Sequence, residues 1–230
     1  MNWKKKLATY ASLTVLATFI IHIINKLIYF MSTIDNLLGR KEGLYYEWRF
    51  GKIFYTKEGT GKPILLIHDL SACSSEYEWN RIVSDLSKKN TVYTLDLLGC
   101  GKSDKPNFTY TNFLYVQLVT DFINNVIGEK ADVIVTGNSC SFVLMACHNN
   151  DEIIDRILLI NPPSISSISK VPTKRTKMLK FIINIPFIGT LLFNLLHSKD
   201  SIEQTFMTEY FYNPQFVDDE IVKTYCESAQ

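Results

Sequence analysis

The chain has 230 residues, of which 47% are hydrophobic and 20% charged, and its net charge is +1. That length allows one domain of ordinary size plus an appendage, and the composition can bury a core rather than stay disordered. The near-neutral balance argues against a nucleic-acid partner. The cysteines, Cys73, Cys100, Cys140, Cys147 and Cys226, are odd in number and form no CxxC pair. Neither a zinc site nor a disulfide framework is therefore expected; they read as buried free thiols, and no cofactor is expected either.

At the N-terminus, Lys4, Lys5 and Lys6 precede an uncharged run of about 18 residues from Leu7 to Ile24. The run is near the minimum that crosses a bilayer. Lys26 can snorkel, and Tyr10 and Tyr29 suit interfacial positions. The expectation is a single-pass anchor with the membrane lipid bilayer as its partner, over a cleaved signal or a soluble amphipathic helix, because no small-x-small cleavage site follows. The lysine cluster favours a cytoplasmic N-terminus, while Lys26, Arg40 and Lys41 on the far side weaken that bias. His22 reads as a tolerated helix residue. Residues 1–40 are assigned to anchor and linker.

The pattern changes near residue 44. Residues 44–50 and 52–57 predict two strands around Gly51. The short continuous apolar run 64–67 predicts a strand buried on both faces, 91–96 another buried strand, and 132–136 and 157–160 two more strands. Helices are expected over 76–86, 110–127 and 141–149. Alternating strands and helices imply an α/β fold with a mostly parallel sheet over 41–163, with functional residues at the C-terminal strand ends.

Three strand ends carry notable motifs. Gly137-Asn138-Ser139-Cys140-Ser141 has the form G-x-S-x-small between a strand and a helix. This is the context in which a sharp turn strains the serine backbone and lifts its hydroxyl above the sheet. Ser139 is the candidate nucleophile, and the Cys140 N–H a candidate oxyanion donor. The bland alternative is a serine that caps a helix. His68-Asp69-Leu70 follows the 64–67 strand; Leu70, or else Asp69, is the second candidate donor, and His68 is expected to orient the loop. The third motif is Asp96-Leu-Leu-Gly-Cys-Gly-Lys-Ser-Asp-Lys-Pro106. Its Gly101-Lys102-Ser103 is not a phosphate loop, because Asp96 stands where that pattern needs glycine.

In this order the three motifs resemble the α/β-hydrolase superfamily, in its serine-nucleophile, cap-containing branch. His68-Asp69-Leu70 stands in place of H-G-x, DLLGCGKSDKP resembles D-x-x-G-x-G-x-S-x-x-P, and GNSCS resembles the nucleophile elbow. Asp69 replaces the usual glycine, and Ser141 the second small glycine. The resemblance implies a membrane-anchored serine hydrolase of a small apolar ester or amide, or else a non-catalytic binding protein of the same fold. It also implies a helical cap over 164–230, beginning with a basic segment, Lys170 to Lys180, and an apolar stretch at 181–193 that Pro186 and Gly189 interrupt, read as a pair of cap helices rather than a second membrane segment. The acid and histidine that follow the cap in such enzymes are not recognised here. His68 precedes the elbow. His148 lies nine residues beyond Ser139 on one helix, roughly 13 Å away at 1.5 Å per residue. His197 sits in an apolar helical stretch. The expectation is an incomplete hydrolase, inert as it stands.

Overall fold

The computed structural model describes residues 3–164, 166 and 173–230. The described chain divides into two compact units, one formed by residues 36–170 with 227–229 and the other by 1–35 with 171–226 and Gln230.

The first unit is built on a six-stranded sheet in the order β1-β2-β4-β3-β5-β6. The strands are β1 (Leu44–Trp48), β2 (Gly51–Glu58), β3 (Lys62–Ile67), β4 (Asn90–Leu95), β5 (Ala131–Thr136) and β6 (Ile154–Ile160). Strands β4, β3, β5 and β6 run parallel, and β1 and β2 add an antiparallel edge. This is the mostly parallel sheet expected. The hairpin differs by two residues from the expected one: Trp48 pairs with Gly51, so the turn is Arg49-Phe50 rather than Gly51. Gly51 is needed for another reason. Its φ is +147°, and a Cβ there would lie 2.9 Å from Asp104 Cβ. Asp104 uses that closeness to accept the Lys52 N–H at 2.7 Å.

The apolar run of β3 shows why the central strands have no polar face. Leu65 and Ile67 pack with Phe122, Leu118 and Phe142 on one side of the sheet. Ile64 and Leu66 pack with Trp79 and Val83 on the other. Alternate side chains point to opposite faces, so both must be apolar when helices cover both. Leu65, Leu66 and Ile67 are fully buried, each contributing roughly 1.5–3 kcal/mol of transfer free energy. The covering helices are α2 (Asn80–Leu86, entered through a 3₁₀ turn at Glu76–Trp79), α3 (Asn112–Phe122) and α4 (Cys140–Asn149). Thr111 caps α3 by accepting the Leu114 N–H, and a π turn at Ile123–Ile127 ends at Gly128 with φ +77°.

The second unit is helical. It contains α1 (Trp3–Thr33), α5 (Lys174–Ile183), α6 (Ile188–Leu196), α7 (Lys199–Thr205) and most of α8 (Asp219–Ser228). Helix α1 is one continuous element of 31 residues, long and apolar enough to cross a membrane. Helices α5 and α6 are bent by 109° at the break that contains Pro186. Lys170, the first residue of the expected basic segment, lies outside the described residues.

Candidate active site

The parallel strands β3, β4 and β5 bring their C-terminal ends side by side, because Ile67 pairs with Leu95 and with Val135. The loops after them therefore meet.

His68 leaves β3 fully buried. Its Nε2 accepts the Leu97 N–H at 2.9 Å, so the ring proton resides on Nδ1, which donates to Asp69 O at 2.7 Å. Burial lowers its pKa to about 4, because a charged imidazole would lose its hydration. With both nitrogens engaged, His68 is neutral at pH 7 and ties the β3 loop to the end of β4.

Asp69 turns its carboxylate toward the elbow. Oδ1 accepts the Asn138 N–H at 2.6 Å, while its own N–H goes to Glu78 Oε2 at 3.1 Å. Glu78 also accepts the Thr136 hydroxyl at 2.5 Å. Burial pushes the Glu78 carboxyl pKa up, against the hydrogen bonds from Thr136 and Asp69. Leu70 is half-buried.

The elbow is where the structure departs from the motif. The residue in the left-handed region is Gly137, with φ +53°. Ser139 has helical φ and ψ of −63° and −23°. A nucleophile elbow holds its nucleophile in the strained position, with the next N–H offered to the oxyanion. Here Gly137 occupies that position and Asn138 supplies the next N–H. A Cβ built on Gly137 would point at Asp69, 2.3 Å from Oδ1. Ser139 falls two residues later. It is fully buried, and its hydroxyl donates to His68 O at 2.7 Å.

Two expectations are corrected by this geometry. The Ser139 hydroxyl is not exposed and its backbone is not strained, because the turn places the left-handed residue where glycine bears it at least cost. The Cys140 N–H is not an open donor, because it closes the 3₁₀ turn Gly137–Ser139 by donating to Asn138 O and Gly137 O. The donor that faces the Asp69 loop is Asn138, and the Asp69 carboxylate already engages it. The sequence reading missed Glu78, for which no motif gave a signal, and Gly137, whose place directly after β5 was the signal.

The third motif is structural. Asp96 is fully buried and accepts N–H groups from Glu76 at 2.6 Å and Lys102 at 2.7 Å. Burial raises its pKa to about 7. A Cβ on Gly101 would lie 2.3 Å from Asp96 Oδ2, so that glycine lets the loop wrap the carboxylate. Ser103 donates to Asp96 O at 2.7 Å and accepts the Phe54 N–H at 2.9 Å. Next to this loop lies a pocket of about 270 Å³, whose lining includes Leu70, Ser71, Cys100, Tyr110 and Tyr115.

A sequence profile described as the alpha/beta hydrolase family matches residues 64–229. Among curated proteins, the chain is 34% identical over 86 residues to a 2-hydroxy-6-oxo-6-(2'-aminophenyl)hexa-2,4-dienoic acid hydrolase of Metapseudomonas resinovorans, covering 37% of this chain and 29% of that protein. It is 25% identical over 110 residues to a soluble epoxide hydrolase of Corynebacterium sp. (strain C12), covering 48% and 38%. Among solved structures, it is similar to an epoxide hydrolase from Vigna radiata at TM-score 0.65 and 17% identity, over 81% of this chain and 66% of that one. It is also similar to the naproxen esterase of Bacillus subtilis at TM-score 0.63 and 18% identity, over 89% and 67%. The matched stretches thus span about a third of the curated relatives' length. With the profile covering well over half of its residues and the sheet in the matching order of motifs, the chain belongs to the alpha/beta hydrolase family.

Proposed function

We propose that this chain is a membrane-associated member of the alpha/beta hydrolase family that binds a small apolar molecule without serine-dependent turnover. The observation that carries this reading is the elbow. Gly137 holds the left-handed position, and Ser139 is buried and committed to the His68 carbonyl. A serine needs a base in hydrogen-bond reach and an approachable hydroxyl, and the Ser139 hydroxyl proton is instead donated to a carbonyl. An oxyanion developing above Gly137 would also meet the Asp69 carboxylate that engages Asn138, and like charges at such a distance repel. The pocket beside Leu70 and Tyr110 is the candidate ligand site. Helix α1 supports membrane attachment, since its apolar window is exposed along its length, and monomeric soluble proteins rarely expose so large an apolar surface.

A second reading, a serine hydrolase of ester- or amide-like substrates, is favoured by the Gly137-Asn138-Ser139-Cys140-Ser141 spacing and by the hydrolase names of the relatives. It requires Ser139 to leave the His68 carbonyl and take up the left-handed conformation. Hydrolysis of aryl esters by the full chain in detergent, compared with Ser139→Ala, separates the two. The first reading expects equal rates, with aryl-ester binding weakened by Leu70→Trp. Turnover lost in Ser139→Ala establishes the second.

A further inference from the structure

We infer that α5 and α6 form a re-entrant wedge that dips into one leaflet of the bilayer alongside α1. This rests on the reading of α1 as a membrane span.

Three observations converge. The first is composition. No Asp, Glu, Lys or Arg lies between Lys180 and Lys199, whereas Lys174, Arg175, Lys177 and Lys180 crowd the preceding helix. The two helices leave Leu179, Phe181, Ile188, Leu195 and Leu196 at least 40% exposed. An apolar tip behind a basic collar matches acyl chains beneath anionic headgroups.

The second is depth. Phe187, at the bend, shares a groove with Thr14, Val15, Thr18, Phe19 and His22 of α1, and its ring meets His22 edge-on at 5.6 Å. Those positions lie four to twelve residues inside Lys26, or about 6–18 Å along a helix rising 1.5 Å per residue. The Phe187 ring thus reaches the apolar part of α1, while its carbonyl is level with Asn25, next to Lys26.

The third is the backbone. A broken helix is tolerated at membrane depth only where its freed polar groups find partners. At this bend several of them do. The Phe187 carbonyl accepts Asn25 Nδ2 at 3.0 Å, Gly189 N donates to Ile185 O at 2.8 Å and Ile188 N to Pro186 O at 2.7 Å. Asn25, the buried residue of α1, in turn accepts from Asn194 Nδ2 at 3.3 Å. A polar pair between otherwise apolar helices is a lipid-phase fastening. Gly189 permits the tight return, since a Cβ there would lie 1.7 Å from Ile183 O.

The test is depth-dependent quenching of single tryptophans placed in the full chain carrying Trp3→Phe, Trp48→Phe and Trp79→Phe, reconstituted into phosphatidylcholine–phosphatidylglycerol vesicles with bromine at mid-acyl positions. Ile188→Trp and Leu195→Trp report the wedge, Leu13→Trp the span, and Phe113→Trp, on exposed α3 surface, the aqueous reference. The expected result is that both wedge tryptophans are quenched by brominated lipid like Leu13→Trp and are shielded from acrylamide. If Leu13→Trp is quenched while both wedge tryptophans are as open to acrylamide as Phe113→Trp, the wedge is wrong and the span stands. If Leu13→Trp is not quenched either, both fall.

Discussion

Adding one methyl group at Gly137 tests the elbow geometry directly. Gly137→Ala forces a residue with a Cβ into φ +53°, which costs about 1–2 kcal/mol for an L-residue. The new Cβ also meets Asp69 at 2.3 Å from Oδ1 and 2.5 Å from Cγ. Asp69 must then move, giving up its bond to the Asn138 N–H, and overpacking of this kind costs typically about 1–3 kcal/mol. The expected total is roughly 2–5 kcal/mol, the sum of the two costs. In an Asp69→Ala background the obstruction is gone and only the backbone strain of about 1–2 kcal/mol remains. The double-mutant cycle should therefore show a coupling of about 1–3 kcal/mol, as neighbours sharing a contact do. Buried Trp48 and Trp79 lie in the sheet unit and Trp3 in the helical one, so urea unfolding followed by tryptophan fluorescence in a Trp3→Phe background reads this unit. A Gly137→Ala cost below about 0.5 kcal/mol, the level of an unremarkable surface change, would refute the assignment of Gly137 to the left-handed position. A cost that is unchanged by Asp69→Ala would refute the contact.

Removing the Ser139 hydroxyl should cost about 1–3 kcal/mol in Ser139→Ala, because the buried His68 carbonyl loses its donor; the same unfolding assay measures it, and no change would mean that the hydroxyl lies elsewhere. Truncating Phe142, which is fully buried and stacked on Tyr115 at 5.2 Å, should cost about 3–5 kcal/mol as Phe142→Ala, read from the urea midpoint. The pH dependence carries two opposed terms. His68, lowered from 6.5 to about 4, contributes stability present above pH 6.5 and lost as pH falls through 4, whereas Asp96, raised from 3.8 to about 7, contributes stability present below pH 3.8 and lost as pH rises through 7. Between about pH 4 and 6.5 they offset each other, so Asp96→Asn should unmask a steeper loss on acidification; an unchanged slope in that variant would sink the assignment.

The sheet was legible because its determinants are local. Ile64-Leu65-Leu66-Ile67 is apolar without interruption, and a strand covered on both faces needs that. Alternation of such runs with helical periods then dictates a parallel sheet. The 109° break between α5 and α6 was legible for the same reason, in Pro186 and Gly189. The elbow was legible only as a place. Gly137 and Ser139 both follow β5, and the motif's spacing assigns the strained conformation to the serine. What decides is tertiary: the Asp69 carboxylate, held beside Glu78 and Thr136, takes the Asn138 N–H, and Ser139 turns inward to His68. Glu78 lies nine residues beyond Asp69 but 58 before Thr136, and it joins the two loops because the ends of β3 and β5 adjoin.

The same shift reassigns the roles of the flanking groups. His68 holds two loops together through both ring nitrogens, and the Asp96 loop is a carboxylate-centred scaffold closed by Gly101. These arrangements preserve the family's fold around a site whose hydroxyl is turned away from it.

The role proposed for Ser139 is that of a structural hydroxyl donated to the His68 carbonyl. Its most direct measurement is labelling of the full chain in detergent with a fluorophosphonate, followed by peptide mass spectrometry. The Ser139 peptide should remain unmodified under conditions that fully label a reference serine esterase. A phosphonylated Ser139, absent from the Ser139→Ala variant, would contradict it.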